Sequence, residues 1–267
     1  MNENRSSRQS FLGNHSELLF QSVKVAVVGL GGGGSHIIQQ LAHIGFDKYV
    51  IYDPQKVEET NLNRMVGATS YDVGVYKSTV MKRVIRNLRE NPSIRIYNSN
   101  WQANPETLRE ADIIIGCLDS FSERRDLEAT ARRYLIPYLD IGMDVFPSIS
   151  GQPPRMVGQI ILSLPGKACM QCLGYLNETS LAKEAAQYGA AGYHPQVVWA
   201  NGILASTAVG IGIQLLTGWT GSTKPIIYLS YDGNLNTLNP HPRLKFVDQE
   251  CTHYPFQNIG DPTYRSI

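Results

Sequence analysis

At 267 residues and 42% hydrophobic composition, the chain can bury one large core, as one α/β domain or as two small ones. A formal charge of +1 leaves no surplus of Lys and Arg to neutralise a phosphate backbone, which argues against a nucleic-acid footprint. Four cysteines, Cys117, Cys169, Cys172 and Cys251, are too few and too unevenly spaced for a disulfide scaffold, so the roles to ask of them are metal binding and reactivity.

The stretch from Met1 to Ser10 is polar, carries Arg5 and Arg8, and lacks the apolar core of a secretory signal, so the expected location is the cytoplasm. Residues 1–22 read as an arm that ends in a short amphipathic piece, Ser16 to Phe20. Val23 to Val28 is a β-branched run that reads as a buried strand. It breaks into glycines, with Gly29, Gly31 and Gly34 at the three positions of a G-x-G-x-x-G fingerprint and Gly32 between them. Ile37, Ile38, Leu41 and Ile44 then recur at helical spacing over Ser35 to Ile44, which would bring a helix N-terminus to a bound phosphate. Asp53 closes a second strand, Tyr49 to Tyr52, and lies roughly 20 residues on, where a ribose-binding carboxylate is expected. These features predict a nucleotide site and leave its chemistry open between a redox dinucleotide and another nucleotide.

Asp53 is followed by P-Q-K-V-E-E-T-N-L-N-R-M, a polar stretch too long for a tight turn, holding Asn61 and Arg64. The spacing of Tyr76, Val80, Val84 and Leu88 predicts a helix from Tyr76 to Glu90 with Lys77 in its first turn. A strand at Ile94 to Tyr97 and a helix at Pro105 to Glu110 come next. Asp112 to Leu118 is a buried strand containing Cys117, read as a core residue, and its carboxyl end delivers Asp119. Parallel sheets bind ligands beyond those ends, so Asp53 and Asp119 should share one crevice.

Phe121 to Tyr134 is a charged helix, read as a solvated face with i,i+4 pairing. Strands at Ile136 to Ile141 and Gly158 to Leu164 flank a Pro- and Gly-rich connection. Val197 to Leu216 has roughly the 20 residues of a membrane span, but polar residues interrupt it and no basic cluster flanks it. It reads as a helix buried in a large core or a subunit interface. Ile226 to Tyr231 and Leu235 to Leu238 read as a hairpin through Asp232-Gly233-Asn234. The expected fold is a Rossmann-like α/β architecture, a mostly parallel sheet with helices on both faces, extended by a mixed or antiparallel C-terminal half. Residues 23–250 would form a single domain and 251–267 a tail.

Cys169-x-x-Cys172 has the spacing of one half of a structural zinc site. R-S-S-R-Q at Arg5 to Gln9, the glycine loop, Asp53, E-E-T-N-L-N-R at Glu58 to Arg64, Lys77, C-L-D-S at Cys117 to Ser120 and C-M-Q-C at Cys169 to Cys172 run in order through nearly the whole chain. Together they resemble the ThiF/MoeB family, the adenylyltransferase core shared with the activating enzymes of ubiquitin-like proteins. The resemblance implies an enzyme that binds ATP and Mg²⁺. It would let the C-terminal carboxylate of a small ubiquitin-fold protein ending in Gly-Gly attack the α-phosphorus, releasing pyrophosphate. It also implies that Gly29 to Gly34 frame the phosphates, Asp53 holds the ribose, and Asn61, Arg64 and Lys77 bind phosphates and developing charge. Asp119 would hold Mg²⁺. In homodimeric relatives an arginine matching Arg8 reaches the partner subunit's ATP, which implies a homodimer here.

Zinc-bearing relatives complete the metal site with a second C-x-x-C. Here that region offers Cys251, with Tyr254 three residues along, so His253 and His241 are the candidates for the fourth ligand of Zn²⁺, and the alternative is a vestigial site without metal. Relatives that pass the activated protein to their own thiol carry a cysteine after the zinc pair. Leu173 to Pro195 has none, so the chemistry is expected to stop at the acyl-adenylate or pass to another protein's thiol, sulfide or amine. A peptide terminus or a carboxylate on modified tRNA remains as an alternative substrate, with a nicotinamide-dependent oxidoreductase or a silent scaffold subunit behind it.

Overall fold

The computed structural model describes residues 7–148, 151–179, 181–182, 195–222, 224–247 and 251–254. Arg5 of the R-S-S-R-Q motif, the segment 183–194 and the tail from 255 lie outside them. The described strands form one sheet in the order β3-β2-β1-β4-β5-β6-β7-β8. β1 (Lys24–Val28), β2 (Lys48–Tyr52), β3 (Ser93–Tyr97), β4 (Ile113–Gly116) and β5 (Tyr138–Phe146) pair in parallel. β6 (Arg155–Ser163), β7 (Tyr228–Asp232) and β8 (Thr237–Pro240) continue the sheet antiparallel. The fold is thus the expected α/β sheet, parallel through its first half and antiparallel through its second.

Alternation along β1 assigns its two faces. Val25 and Val27 join the core beneath α1 (Ser16–Ser22), α2 (Gly32–Ile44), α3 (Lys77–Leu88) and α5 (Val198–Thr217), while Ala26 and Val28 face the opposite core. That second core is closed by Leu127 and Ala131 of α4 (Phe121–Arg133), together with Trp101, Leu108, Met170 and Leu173. α5 is long and apolar enough to cross a membrane by length and composition. Here it lays Leu204, Ala205, Ala208 and Ile213 into the first core, and Gly212 comes down on Leu139 and Ile113.

Four expectations change. The helix after the glycine loop begins at Gly32 rather than Ser35, because the glycines themselves form its first turn. Pro105–Glu110 is a 3-10 turn. β5 and β6 are longer than the sequence implied and form a hairpin that projects beyond the parallel sheet, from Tyr138↔Ser163 to Phe146↔Arg155. The largest change is α4. Arg124, Glu128 and Arg132 are 5%, 0% and 4% exposed, so one charged stripe of the helix faces the sheet and is not solvated.

Partners explain how those charges tolerate burial. Glu128 accepts from Ser163 Oγ (2.5 Å) and the Met170 N–H (2.9 Å), and Tyr254 donates to its second oxygen (3.4 Å). Arg132 donates to Ser163 Oγ (2.8 Å) and to the carbonyls of Lys167 (2.7 Å) and Ala168 (2.9 Å). Arg124 is paired with Asp140. The stripe fastens the Cys169–Cys172 segment to the sheet at its lower end and reaches the mouth of the crevice at its upper end.

Candidate active site

The crevice opens beyond the carboxyl ends of the parallel strands as a cavity of about 400 Å³. Its walls include Gly29, Gly31, Gly32, Asp53, Asn61, Arg64, Lys77 and Asp119, so the residues singled out from the sequence converge on one space. Gly34 and Arg8 are not on those walls. Arg8 is exposed, in the 3-10 turn Ser7–Leu12.

Each glycine of the loop has its own physical reason. Gly29 has φ +89°, and a Cβ there would meet the Cys117 carbonyl oxygen at 2.4 Å. A Cβ on Gly34 would lie 1.9 Å from the Gly29 carbonyl oxygen, so Gly34 serves the close packing of strand and helix. Gly32 packs against Asn201 and Gly33 against Ile141. A Cβ on Gly31 would meet no atom of the described residues within 4 Å, yet Gly31 lines the cavity and precedes α2, whose first turn has no side-chain cap. Its bareness leaves room for something outside the chain.

Asp53 is 4% exposed, and its oxygens accept from the Leu30 N–H (2.6 Å) and the Gln55 N–H (2.7 Å). Burial pushes its pKa up against the pull of Lys77 and the two amides. Each carboxylate oxygen retains a second lone pair. Lys77, 5% exposed at the start of α3, donates to Gln55 Oε1 at 2.6 Å. Arg64 donates to the Thr60 carbonyl (2.6 Å) and Asn63 Oδ1 (3.1 Å), and its Nε is buried with no hydrogen-bond partner among the described residues. Among the described residues neither cation forms an ion pair with a carboxylate. Asn61 is buried, its Oδ1 accepting the Glu58 N–H at 3.2 Å.

Asp119 is exposed to the cavity and accepts from Gln196 Nε2 at 3.4 Å. Cys117 stands just past the end of β4, half-buried, where it packs against the first core as expected and also lines the cavity. Gln55, Gln196, Asn201 and Arg124 also line the walls, and no sequence motif marks them. Spacing does not flag Gln196 or Asn201, which reach the site through tertiary contacts, and Gln55 beside Asp53 carries no motif.

A second cluster lies below α4. One donor atom from each of Cys169, Cys172, Cys251 and His253 falls within 4.8 Å of the others. Cys169 Sγ to Cys172 Sγ is 3.6 Å and Cys172 Sγ to Cys251 Sγ 3.7 Å. His253 Nδ1 is 3.5 Å from Cys169 Sγ and 3.3 Å from Cys172 Sγ. A tetrahedral Zn²⁺ with ordinary bond lengths requires S···S edges of about 3.8 Å and S···N edges of about 3.5 Å, which these four edges match, while the other two lie within 4.8 Å. His241 is elsewhere, stacked on Tyr228 at 4.1 Å, which removes it as a ligand candidate.

A sequence model of the ThiF family matches residues 4–252. The chain belongs to the ThiF family. Its relatives include the SAMP-activating enzyme E1 of Haloferax volcanii, 29% identical over 157 residues that cover 57% of this chain and 53% of that protein. Another is the adenylyltransferase and sulfurtransferase UBA4 of Meyerozyma guilliermondii, 28% identical over 217 residues, 79% of this chain and 47% of the relative. The chain therefore spans about half the length of these relatives. Among solved structures, E. coli MccB with AMPCPP and MccA superposes with a TM-score of 0.74 at 19% identity, over 95% of this chain and 74% of that one. E. coli MccB with ATP gives 0.69 at 21% identity, over 90% and 71%. At such identities the likeness is one of fold.

Proposed function

We propose that this ThiF-family chain is an ATP-dependent adenylyltransferase that activates the C-terminal carboxylate of a small ubiquitin-fold protein ending in Gly-Gly. The observation that carries the reading is the pair Arg64 and Lys77, two cations that form no salt bridge among the described residues, facing one cavity with an exposed Asp119 and a bare glycine turn. Such a set suits a polyanion. It exceeds what a nicotinamide cofactor requires, for which the glycine loop and Asp53 suffice.

A C-terminal carboxylate, with a pKa of about 3.5, is already ionised near neutrality, so no general base is needed. A carboxylate oxygen would form its bond to the α-phosphorus while the bond from that phosphorus to the oxygen bridging to the β-phosphate breaks, and pyrophosphate carries the electron pair away. Positioning and cationic stabilisation supply the acceleration. Gly29 to Gly32 and the first turn of α2 would receive phosphate oxygens, Asp53 the ribose hydroxyls, and Asn61, Arg64 and Lys77 the departing charge. Mg²⁺ bound at Asp119 would supply Lewis-acid shielding of the triphosphate. Arg8 would reach the cavity of a second copy in a homodimer. Three thiolates and one imidazole saturate a tetrahedral ion, so zinc at the second cluster would be structural, leaving no position for a reacting water.

The names of the relatives support a protein or peptide carboxylate: one activates SAMP, another is an adenylyltransferase and sulfurtransferase, and MccB is solved with MccA. ATP–pyrophosphate exchange measured against small ubiquitin-fold proteins with Gly-Gly ends, and against peptides with other C-termini, tests the reading. Exchange with the former, abolished in Asp119→Ala, is the expected result. Exchange with free peptides alone would move the substrate to that class, and undiminished turnover in Asp119→Ala would remove Asp119 from the chemistry.

A further inference from the structure

The mouth of the cavity is a split between two neighbouring strands. β4 and β5 pair at Ile114↔Tyr138, Ile115↔Leu139 and Gly116↔Asp140, and the pairing then stops. β5 runs on to Phe146 along β6, whereas the chain leaving β4 turns away through Leu118 to Asp119. Carbonyls on the two diverging segments lose the partners a continued ladder would give them. The guanidinium of Arg124 fills the gap. It donates to the carbonyls of Leu118 and Ile141 (the latter 3.1 Å) and to the Asp140 carboxylate, whose other oxygen accepts from Tyr138 Oη at 2.8 Å. Gly142 leaves the space, since a Cβ there would meet Arg124 Nη2 at 2.4 Å.

We propose that Arg124 is a positioning residue of this site: by holding the Leu118 carbonyl across the split, it sets the turn that carries Asp119 and therefore where that carboxylate stands. The inference rests on the adenylation reading for its consequence, not for its geometry. Asp140 neutralises the guanidinium, so the pair contributes placement rather than net charge to the cavity. Lysine cannot replace it, having one nitrogen where a planar fork spans two strands and a carboxylate. Ser120, next along, caps α4 by accepting the Glu123 N–H at 3.2 Å, so the turn is clamped on both sides of Asp119.

Two measurements on the full chain test this. In calorimetric titration with ATP, Arg124→Gln should lose about 10-fold of the affinity that Mg²⁺ adds, a size typical when the support of a metal ligand is removed. Its affinity in EDTA should fall by less than its affinity in Mg²⁺, Arg124→Lys should not recover the gain, and Asp119→Ala should remove it altogether. Independently of any ligand, amide exchange across residues 117–121 should quicken in Arg124→Gln. A wild-type Mg²⁺ gain with wild-type exchange, alongside a lowered Tm, would make Arg124 a brace only and overturn the proposal. Should the wild-type chain fail to bind ATP, the adenylation reading falls and the exchange result decides alone: unchanged protection at 117–121 defeats the proposal, and faster exchange upholds it. If Arg124→Gln does not fold, Asp140→Asn, which weakens the same fork, is read by both measurements. A smaller change in the same direction supports the proposal, and wild-type values overturn it.

Discussion

Cys172 Sγ stands 3.7 Å from Cys251 Sγ, although 79 residues separate them, and His253 Nδ1 closes the same cluster at 3.3 Å from Cys172. With zinc bound, that contact would clip the C-terminal segment beneath α4, where Tyr254 reaches Glu128. The purified chain should carry one zinc per polypeptide, and Cys251→Ser should lose it and lower Tm. Cobalt substitution should give sulfur-to-metal charge-transfer bands that change in position and intensity in His253→Ala. An unchanged spectrum in that variant would exclude His253 from the coordination shell.

Arg83 donates to both oxygens of Asp72, at 2.6 and 2.8 Å, and the Thr69 N–H adds a third bond at 2.8 Å. Arg83 also donates to the Gly67 carbonyl, so the fork pins the far end of the loop that carries Asn61 and Arg64. The Arg83 hydrogen bonds foremost hold the Asp72 carboxyl well below the ordinary range. A depressed folded-state pKa contributes stability that is complete above the unfolded value of about 3.9 and is lost as pH falls through the folded one. Asp72→Asn should therefore cost about 1–2 kcal/mol at pH 7, after discounting for the exposed end of Arg83, and less as pH drops below 4. Urea melts at pH 7 and pH 3 check this, and a cost that does not shrink at pH 3 would count against it.

Much of the site was legible because its causes are local. The glycine loop declares itself through a positive φ at Gly29 and a backbone contact at Gly34, constraints only glycine meets. Asp53 follows a strand end, and strand ends of a parallel sheet share an edge. The misreading of α4 has an equally definite cause. Leu127 and Ala131 are the residues α4 buries in that core, with Phe121 at its edge, too few for a full stripe, so Arg124, Glu128 and Arg132 at i, i+4 and i+8 fill it. Charge at that spacing looks identical whether it faces water or buried carbonyls. Gln55 and Gln196 were invisible for a different reason, since an amide that meets Lys77 or Asp119 through the fold leaves no pattern in the chain.

The glycine turn predicts two opposite phenotypes from one substitution type. Gly34→Ala drives a Cβ to 1.9 Å from a main-chain oxygen, which cannot yield, and should destabilise by about 3 kcal/mol or more. Gly31→Ala meets no atom of the described residues within 4 Å, and at φ −67°, ψ −149° it sits at the border of the extended region, so it should cost no more than about 1 kcal/mol, far less than Gly34→Ala. Its methyl group instead occupies the cavity wall where phosphate would approach, and ATP affinity should fall by about tenfold or more, a loss of roughly 1.4 kcal/mol. Thermal melts paired with ATP titration separate the two, and normal ATP binding by Gly31→Ala would show that no ligand atom comes near that residue.

Lys77 sits where stability alone would not put a lysine. It is the first residue of α3, at the positive end of the helix dipole, 5% exposed, and its Nζ has Gln55 Oε1 as its hydrogen-bond acceptor. A buried cation beside a helix N-terminus costs free energy that the nearby Asp53 carboxylate offsets only in part, until a further anion arrives. Lys77→Met, similar in volume and uncharged, should leave Tm unchanged or raise it, by up to about 1 kcal/mol in stability. The same variant should lose ATP binding and pyrophosphate exchange, because the departing phosphates would meet a thioether in place of a cation. A lowered Tm with nucleotide binding intact would mean that Lys77 is held there by the fold and not by a ligand.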